Sequence, residues 1–520
     1  MLEPINKYNV GTAYLVAALT IGNLWNTAWG QLVSHPEKPF VIRVVDQDTG
    51  RPVPLVEITT VHHQRHITDN HGVTSWPEPE LQGQDVFFQL KSHGYEFQKD
   101  GFGYAGVRLK VDTDKSVELK LKRLQIAQRL YRITGAGKLA ESQLAGLVSA
   151  DDPAAITRGM VTGQDSVQMT RYKNRLHWMW GDTNRLAYPL GNFHMPSATT
   201  ELPDKLTWNP ANEIPLHYFV DKTTGFAAES CRMPGDGPTW LSALASVSDR
   251  EGVERLVGWY SKIRPPMTVY RRGIAVWNDE LAKFENVDSF EPDQISAPEG
   301  AHDLTIDSQG TKYLYFCDPF PFVRVPATFE DYCNPASYEC YSCMVEGTSA
   351  EKPEIQRDSN GNPSFQWRRN VPVWNQKLQE DLIKKGLIRW EECPIQLKNK
   401  DGKTITTARG SVAWNEYRKR WVMIFGQLFG ESSVLGEIWY AESDQPTGPW
   451  KNPVKILTHD KYSFYNVTHH PELDSNGGRE IFIEGTYTAT FSGNENPTPR
   501  YDYNQILYKL DLSDPRLENR

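Results

Sequence analysis

The sequence predicts an all-β protein, a five-bladed β-propeller preceded by a small β-sandwich domain. Three observations carry this. From residue 157 onward a theme of strand, polar turn, aromatic strand and further strand recurs five times. Sheets of that length cannot each bury both faces alone, and a radial ring of blades solves the problem. Ahead of them, residues 39–122 carry short strands punctuated by Gly, Pro and Asn, the pattern of a sandwich. Long helical periodicity occurs only at residues 376–385.

The N-terminus reads as a processing signal. Lys7 and a short polar start lead into the apolar run 14–25, and Ala28-Trp29-Gly30 supplies small residues for a cut before Gln31. Residues 1–30 are thus expected to be a secretory signal peptide, too short and interrupted to span a bilayer. The mature protein is expected in the periplasm or outside the cell, with no membrane span after cleavage. The net charge of −9 and pI near 5.9 exclude a nucleic acid or an anionic membrane as the main partner. The 16 Trp and 23 Tyr offer flat, half-polar faces of the kind that sugars bind. Six cysteines permit up to three disulfides in an exported chain. Cys333, Cys340 and Cys343 lie close together without a nearby fourth ligand, so no zinc site is expected. Nothing in the sequence sets an oligomeric state.

Within 39–122, strands are expected at 40–45, 55–60, 85–91 and 107–121, with turns at 46–54 and 66–72. The phrase VVDQDTGRPVPLVEITT followed by TDNHGVT resembles the prealbumin-like, carboxypeptidase-regulatory-like sandwiches appended to secreted bacterial enzymes. Residues 123–156, rich in Ala and Leu with Gly and Asp-Pro breaks, read as a linker. The propeller is expected over 157–515. Its blades fall at about 157–200, 213–290, 300–350, 409–457 and 463–512, with an insertion at about 351–400.

The first blade holds the most informative stretch, TGQDSVQMTRYKNRLHWMWGDT at 162–183. The polar cluster 171–175 interrupts two alternating apolar runs, as a hairpin turn does. A turn centred between Lys173 and Asn174 sets Asp165 directly across from Asp182. Facing carboxylates repel unless a proton, cation or substrate lies between them. The pair is therefore a candidate acid and base. The bland alternative has Asp182 capping its turn and Asp165 bridging to Arg158 or Arg185. In the last blade a turn centred between Asn476 and Gly477 would pair Glu484 with His469, a carboxylate–imidazole pair at the equivalent position.

TGQDS with WMWGDT resembles the opening of bacterial five-bladed propeller glycoside hydrolases of the endo-D-arabinanase-related group, and SFYNVTHHPELDSNGGREIFIEGTYT resembles their final blade. The resemblance implies glycan hydrolysis, with Asp165 and Asp182 as the catalytic pair; Glu484 joins them as a third catalytic candidate. Residues placed to bind substrate at the same mouth are His194, His302, Tyr465, Asn466, His469, Arg500 and Tyr501. Such hydrolysis requires no cofactor; Ca²⁺ is compatible with the oxygen-rich mouth, though no cage is defined. Cross-strand Cβ spacing of about 4.5–5.5 Å favours a retaining over an inverting arrangement. The alternatives are a non-catalytic carbohydrate-binding propeller, or a polysaccharide lyase using His469 or Tyr465 as base.

Overall fold

The structure, a computed structural model, describes residues 38–203, 208–292, 298–300 and 302–518. The expected signal peptide lies outside the described residues. Among the described residues no helix is long and apolar enough to cross a membrane.

Two four-stranded sheets form the sandwich. Strand Phe40–Asp46 lies between Val73–Trp76, antiparallel, and Ser116–Arg123, parallel. The second sheet centres on Glu57–Thr60 and Asp85–Lys91. In Asp85–Lys91 burial alternates residue by residue, which sends Val86, Phe88 and Leu90 inward. They meet Ile42, Val44, Ile58 and Trp76 in the core between the sheets.

The propeller follows as five sheets of four or five strands. Their first strands, Gln168–Tyr172, Thr239–Ser248, His302–Ser308, Thr407–Asn415 and Ser463–His469, lie side by side around the centre. Apolar cores fill the spaces between neighbouring blades and trace the ring. One joins blades one and two through Met179, Leu241 and Tyr260. A second runs through blades two to four, with Trp259, Phe316, Val412 and Trp450. A third joins four to five through Ile424, Tyr440 and Ile483, and a fourth returns from five to one through Phe482, Leu507, Trp178 and Trp180.

The closing strand departs from expectation. Gln128–Arg132, expected within a linker, is wholly buried and pairs with Asn504–Asp511 as the outer strand of the fifth blade. Its polar letters read as linker because Arg129 and Arg132 find buried partners. Arg129 donates from Nε to the Pro54 carbonyl at 3.0 Å, and Arg132 from Nη2 to the Ala136 carbonyl at 2.7 Å. His217–Tyr218, expected in the second blade, forms the edge strand of the first, paired with Ser197–Glu201. The insertion is stitched to both its neighbours: Gln366–Arg368 extends blade three, and Ile395–Gln396 pairs in parallel with Trp450–Thr458 of blade four. The helix between them, Gln376–Lys384, starts at Asn375, whose side chain accepts from the Leu378 N–H. Cys231, Cys333, Cys343 and Cys393 are free thiols.

Ring closure makes a stability prediction. Leu130 of the closing strand is 3% exposed, packed among Trp178 and Leu507. Leu130→Ala should cost about 2–5 kcal/mol, seen as a lowered urea midpoint. An unchanged midpoint would mean that the strand does not carry the closure.

Candidate active site at the propeller mouth

The expected hairpin forms in the expected register. Lys173 and Asn174 both have positive φ, 46° and 60°, as a two-residue type I′ turn requires. Gln168 then pairs with Met179, and beyond a break in the sheet Gln164 pairs with Thr183. Between these pairs Asp165 donates its N–H to the Asp182 carbonyl at 3.3 Å, and Gly181 donates to the Asp165 carbonyl at 2.8 Å. The two aspartates therefore oppose each other at the start of the innermost strand of blade one. Gly181 has to be glycine: a Cβ there would sit 2.2 Å from Asp165 Oδ1. Gly163 is similarly constrained, since its Cβ would lie 2.5 Å from the Tyr503 carbonyl oxygen.

The two carboxyl groups have different surroundings. Asp165 accepts from the Tyr465 hydroxyl at 2.8 Å and from Tyr503, with Ser166 also in hydrogen-bonding contact. Ser166 is held in turn by Asn466 Nδ2, at 2.5 Å, and its N–H donates to Thr486 Oγ1 at 3.2 Å. Burial raises the Asp165 pKa, and the hydrogen bonds oppose that rise by favouring the anion. Asp182 is turned toward blade two, where Trp240 supplies its hydrogen bond, and its Oδ1 has no partner. Burial first, and then the charge of Asp165, push Asp182 up to about 7. Because the charge of one acts on the other, the protons belong to both groups together. The donors around Asp165 place the charge there and the proton on Asp182. Asp165 does not follow the bland alternative: Arg158 faces Glu213 at 3.7 Å, and the Arg185 guanidinium stacks on Phe226. The carboxyls turn to opposite neighbours around the ring, so the Cβ spacing no longer favours a retaining arrangement.

Blade three adds an acidic group to this face. Asp318 follows strand Thr311–Cys317, its pKa is raised by burial, and Arg409 of blade four lies 3.9 Å away.

Other sequence-predicted residues are distributed less simply. Tyr465 and Asn466 reach the site as described. His194 is buried beside it, with Nδ1 3.2 Å from Thr239 Oγ1 next to Trp240, and burial lowers its pKa to about 4. His302 opens the first strand of blade three, opposite Cys317, and its side chain lies outside the described residues.

Four residues are elsewhere. Glu484 pairs with Thr468, not His469, because the connection is not a two-residue turn: it runs through short 3₁₀ turns at Pro471–Leu473 and Asn476–Gly478, which shift the register by one. A one-residue slip reverses the face, so Glu484 points into the core between blades five and one and is fully buried. There its Oε2 lies 3.0 Å from His470 Nε2. Burial raises Glu484 to about 8 and lowers His470 to about 3, so both are neutral near pH 7. His469 is buried on the opposite face, 2.9 Å from Asp474. Arg500 pairs with Glu141 at 2.9 Å, and the Tyr501 hydroxyl donates to the Thr68 carbonyl at 2.8 Å, both facing the N-terminal region. The loop bearing them turns at Arg500 and Tyr503, with φ of 64° and 57°. Those turns bring Tyr503 to Asp165 instead. Tyr503 and Trp240 are the site residues that sequence reasoning missed.

Among the described residues no group of three or more His, Cys, Asp or Glu is arranged to hold a metal ion, so the Ca²⁺ considered from the sequence has no such cage here. Clefts of about 460 and 290 Å³ run along the sandwich–propeller junction, and neither is lined by Asp165 or Asp182. The opposed carboxylates, not cleft size, mark the mouth as the candidate site.

No protein-family model and no curated protein matches this chain. Solved structures similar to it include an exo-β-1,3-galactanase from Phanerochaete chrysosporium with β-1,3-galactotriose. It aligns at 10% identity and TM-score 0.37, over 75% of this chain and 65% of its own. An exo-β-1,3-galactanase from Clostridium thermocellum aligns at 12% identity and TM-score 0.36, over 69% and 60% respectively. An exo-1,5-α-L-arabinanase from a bovine ruminal metagenomic library aligns at 10% identity and TM-score 0.32, over 67% and 93%. The chain spans between 62% and 65% of the length of the Phanerochaete galactanase chains.

The buried Glu484 makes stability pH-dependent. Its folded pKa of about 8 lies above the ordinary 4.5. The folded state therefore binds the extra proton, and the Glu484 contribution to stability falls as pH rises from about 4.5 to about 8, by up to roughly 1.4 kcal/mol per pH unit, while His470, held at about 3, contributes in the opposite sense below its ordinary 6.5. Glu484→Gln keeps the shape and removes the charge, so it should flatten the fall in urea titrations above the ordinary His470 value of 6.5 and up to about 8. A slope identical to that of the parent protein would refute the assignment.

Proposed function

We propose that this protein is a secreted glycoside hydrolase that cleaves O-glycosidic bonds of an oligosaccharide or polysaccharide at the propeller mouth. The observation that carries the reading is the opposed pair, with phenol donors gathered on Asp165 and the Oδ1 of Asp182 left without a partner. Glycoside hydrolysis needs one carboxylic acid to protonate the departing oxygen and one carboxylate to attack carbon or activate water. Asp182, with an unpartnered Oδ1, has the acid's properties; Asp165, braced by Tyr465 and Tyr503, has those of the carboxylate. Two similar side chains take different roles because their surroundings separate their affinities for a proton. The likeness of TGQDS and WMWGDT to propeller glycosidases supports the same pair, and the apolar run before Gln31 supports export. Glu484 has no part in this chemistry, being sealed between blades.

Asp165→Asn and Asp182→Asn should each lower turnover by about 10²–10⁴-fold. Reducing-end release from a panel of polysaccharides is the measurement, with binding to the same glycans retained in affinity electrophoresis. Full turnover in both variants would defeat the reading. Loss of glycan binding in the parent protein itself would do so equally.

The pH profile supplies a separate prediction. As an acid with a pKa of about 7, Asp182 should give kcat/KM an alkaline limb near that pH. Trp240 favours the Asp182 anion, so Trp240→Phe removes a lowering influence and should move the limb to higher pH. A limb that stays fixed, or moves down, would count against Asp182 as the acid.

A further inference from the structure

The connection at 489–503, between the last two strands of blade five, touches both the N-terminal sandwich and the catalytic pair. At its start, Asp502 Oδ1 accepts from the Ala489 N–H at 2.7 Å and from Thr488 Oγ1 at 3.1 Å, which closes the loop on itself. Midway, Thr498 donates to the Tyr462 hydroxyl at 2.5 Å through its N–H, and Tyr487 beside it contacts His93 of the sandwich at 2.9 Å. Near its end, three contacts follow within four residues. Arg500 pairs with Glu141, on helix Ala140–Leu144, at 2.9 Å. Tyr501 donates to the Thr68 carbonyl of the sandwich at 2.8 Å, and the buried Arg132 guanidinium lies 4.8 Å over its ring. Tyr503 reaches Asp165, while its own carbonyl accepts from the Gln164 N–H at 2.8 Å.

Glu141 is itself fixed to the sandwich. Its Oε2 accepts from the Ser75 N–H at 3.1 Å and from the Ser75 hydroxyl at 3.2 Å, and His66 lies 3.5 Å away. The sandwich thus holds Tyr501 directly through the Thr68 hydrogen bond and Arg500 through Glu141, while Arg132 of the closing strand lies over the Tyr501 ring. Two residues on, the chain delivers a phenol to a candidate catalytic carboxylate. Left-handed φ at both Arg500 and Tyr503 costs conformational energy in residues with side chains of this size, and such geometry persists only where contacts over-determine it. The sandwich contacts supply that over-determination.

We infer that the sandwich is a positioning element of the hydrolytic centre, holding Arg500 and Tyr501 so that Tyr503 stays hydrogen-bonded to Asp165. The inference rests on the reading of Asp165 as the catalytic carboxylate. Arg500 and Tyr501 are positioning residues in this arrangement and touch no substrate. Tyr503 keeps the charge on Asp165, so slackening the grip raises the pKa of that group and weakens the distinction between acid and base.

The test compares Tyr501→Phe, Arg500→Gln and Tyr503→Phe in the full chain. Tyr501→Phe removes only the hydroxyl that meets Thr68, and Arg500 is half exposed, so at least one of these two variants keeps the fold. Amide hydrogen exchange over 498–504 should speed up roughly three- to tenfold in either variant, the effect of one lost hydrogen bond. The acidic limb of kcat/KM should move to higher pH, in the direction that Tyr503→Phe moves it, with kcat lowered and KM held. A purely structural contact would lower the melting temperature and leave the limb in place. Unchanged exchange over 498–504, or an acidic limb that moves in Tyr503→Phe alone, would overturn the inference. Should Asp165→Asn retain turnover, the hydrolase reading fails, whereas the exchange measurement still decides whether the sandwich positions the loop.

Discussion

Closure of the ring is the constraint on which the rest depends. Each blade presents apolar faces that only its neighbours cover, so the circle has to be completed somewhere. Here Gln128–Arg132, from the N-terminal side of the chain, pairs with Asn504–Asp511 from its C-terminal end. The same strand carries the arginines that dock the sandwich: Arg129 donates to Pro54, Ser92 and His93, and Arg132 stacks on Tyr501. Closure of the propeller, docking of the sandwich and shaping of the last loop are one packing event. Blades that depend on it share in its cooperativity, since loss of the clasp opens two inter-blade cores at once.

Burial shapes two carboxyl sites in this protein, with different outcomes. Glu484 and His470 lie wholly inside the wall between blades five and one, and both become neutral because burial outweighs the single indole hydrogen bond that Trp180 gives Glu484. Asp165 and Asp182 are also strongly desolvated, yet phenols and an indole gather on them and solvent reaches them from the mouth. That difference separates a structural pair from the pair proposed to be reactive. A raised carboxyl pKa is common to both sites. Unequal hydrogen bonding within an opposed pair is found only at the mouth, and it is what divides one proton between two roles.

How much of this was legible follows the range of the interactions. The Asp165–Asp182 register depends on a two-residue turn, and Lys173-Asn174 declares it locally through residues that take up left-handed φ. The Glu484 register depends on the connection at 471–478, which folds into two short 3₁₀ turns with Ser475 meeting Glu480. Asn476-Gly477 reads locally as a tight two-residue turn, so the expected register slipped by one and the face reversed. Sandwich strands were readable because alternation at 85–91 is nearly perfect. The closing strand was not, because QRLYR hides two arginines, and the side-chain partners of Arg129 lie 36 and more residues away. Arg500 and Tyr501 were singled out by residue type, which signals contact without naming the partner.

That last displacement bears on how the sandwich and propeller are related. Had Arg500 and Tyr501 faced the mouth, the sandwich would share only a short contact with the propeller and could be regarded as a separate module. Their side chains instead point away from the mouth to Glu141 and Thr68, while Tyr503 points toward it. Residues two apart in an extended chain fall on the same face. Here the left-handed turns at Arg500 and Tyr503 break that alternation and send neighbours in opposite directions. A backbone so turned needs anchors on both sides, and each side is the anchor of the other. The sandwich is therefore bound into the architecture of the mouth, and its Thr68 turn is linked to Asp165 by two hydrogen bonds with only the short stretch 501–503 between them.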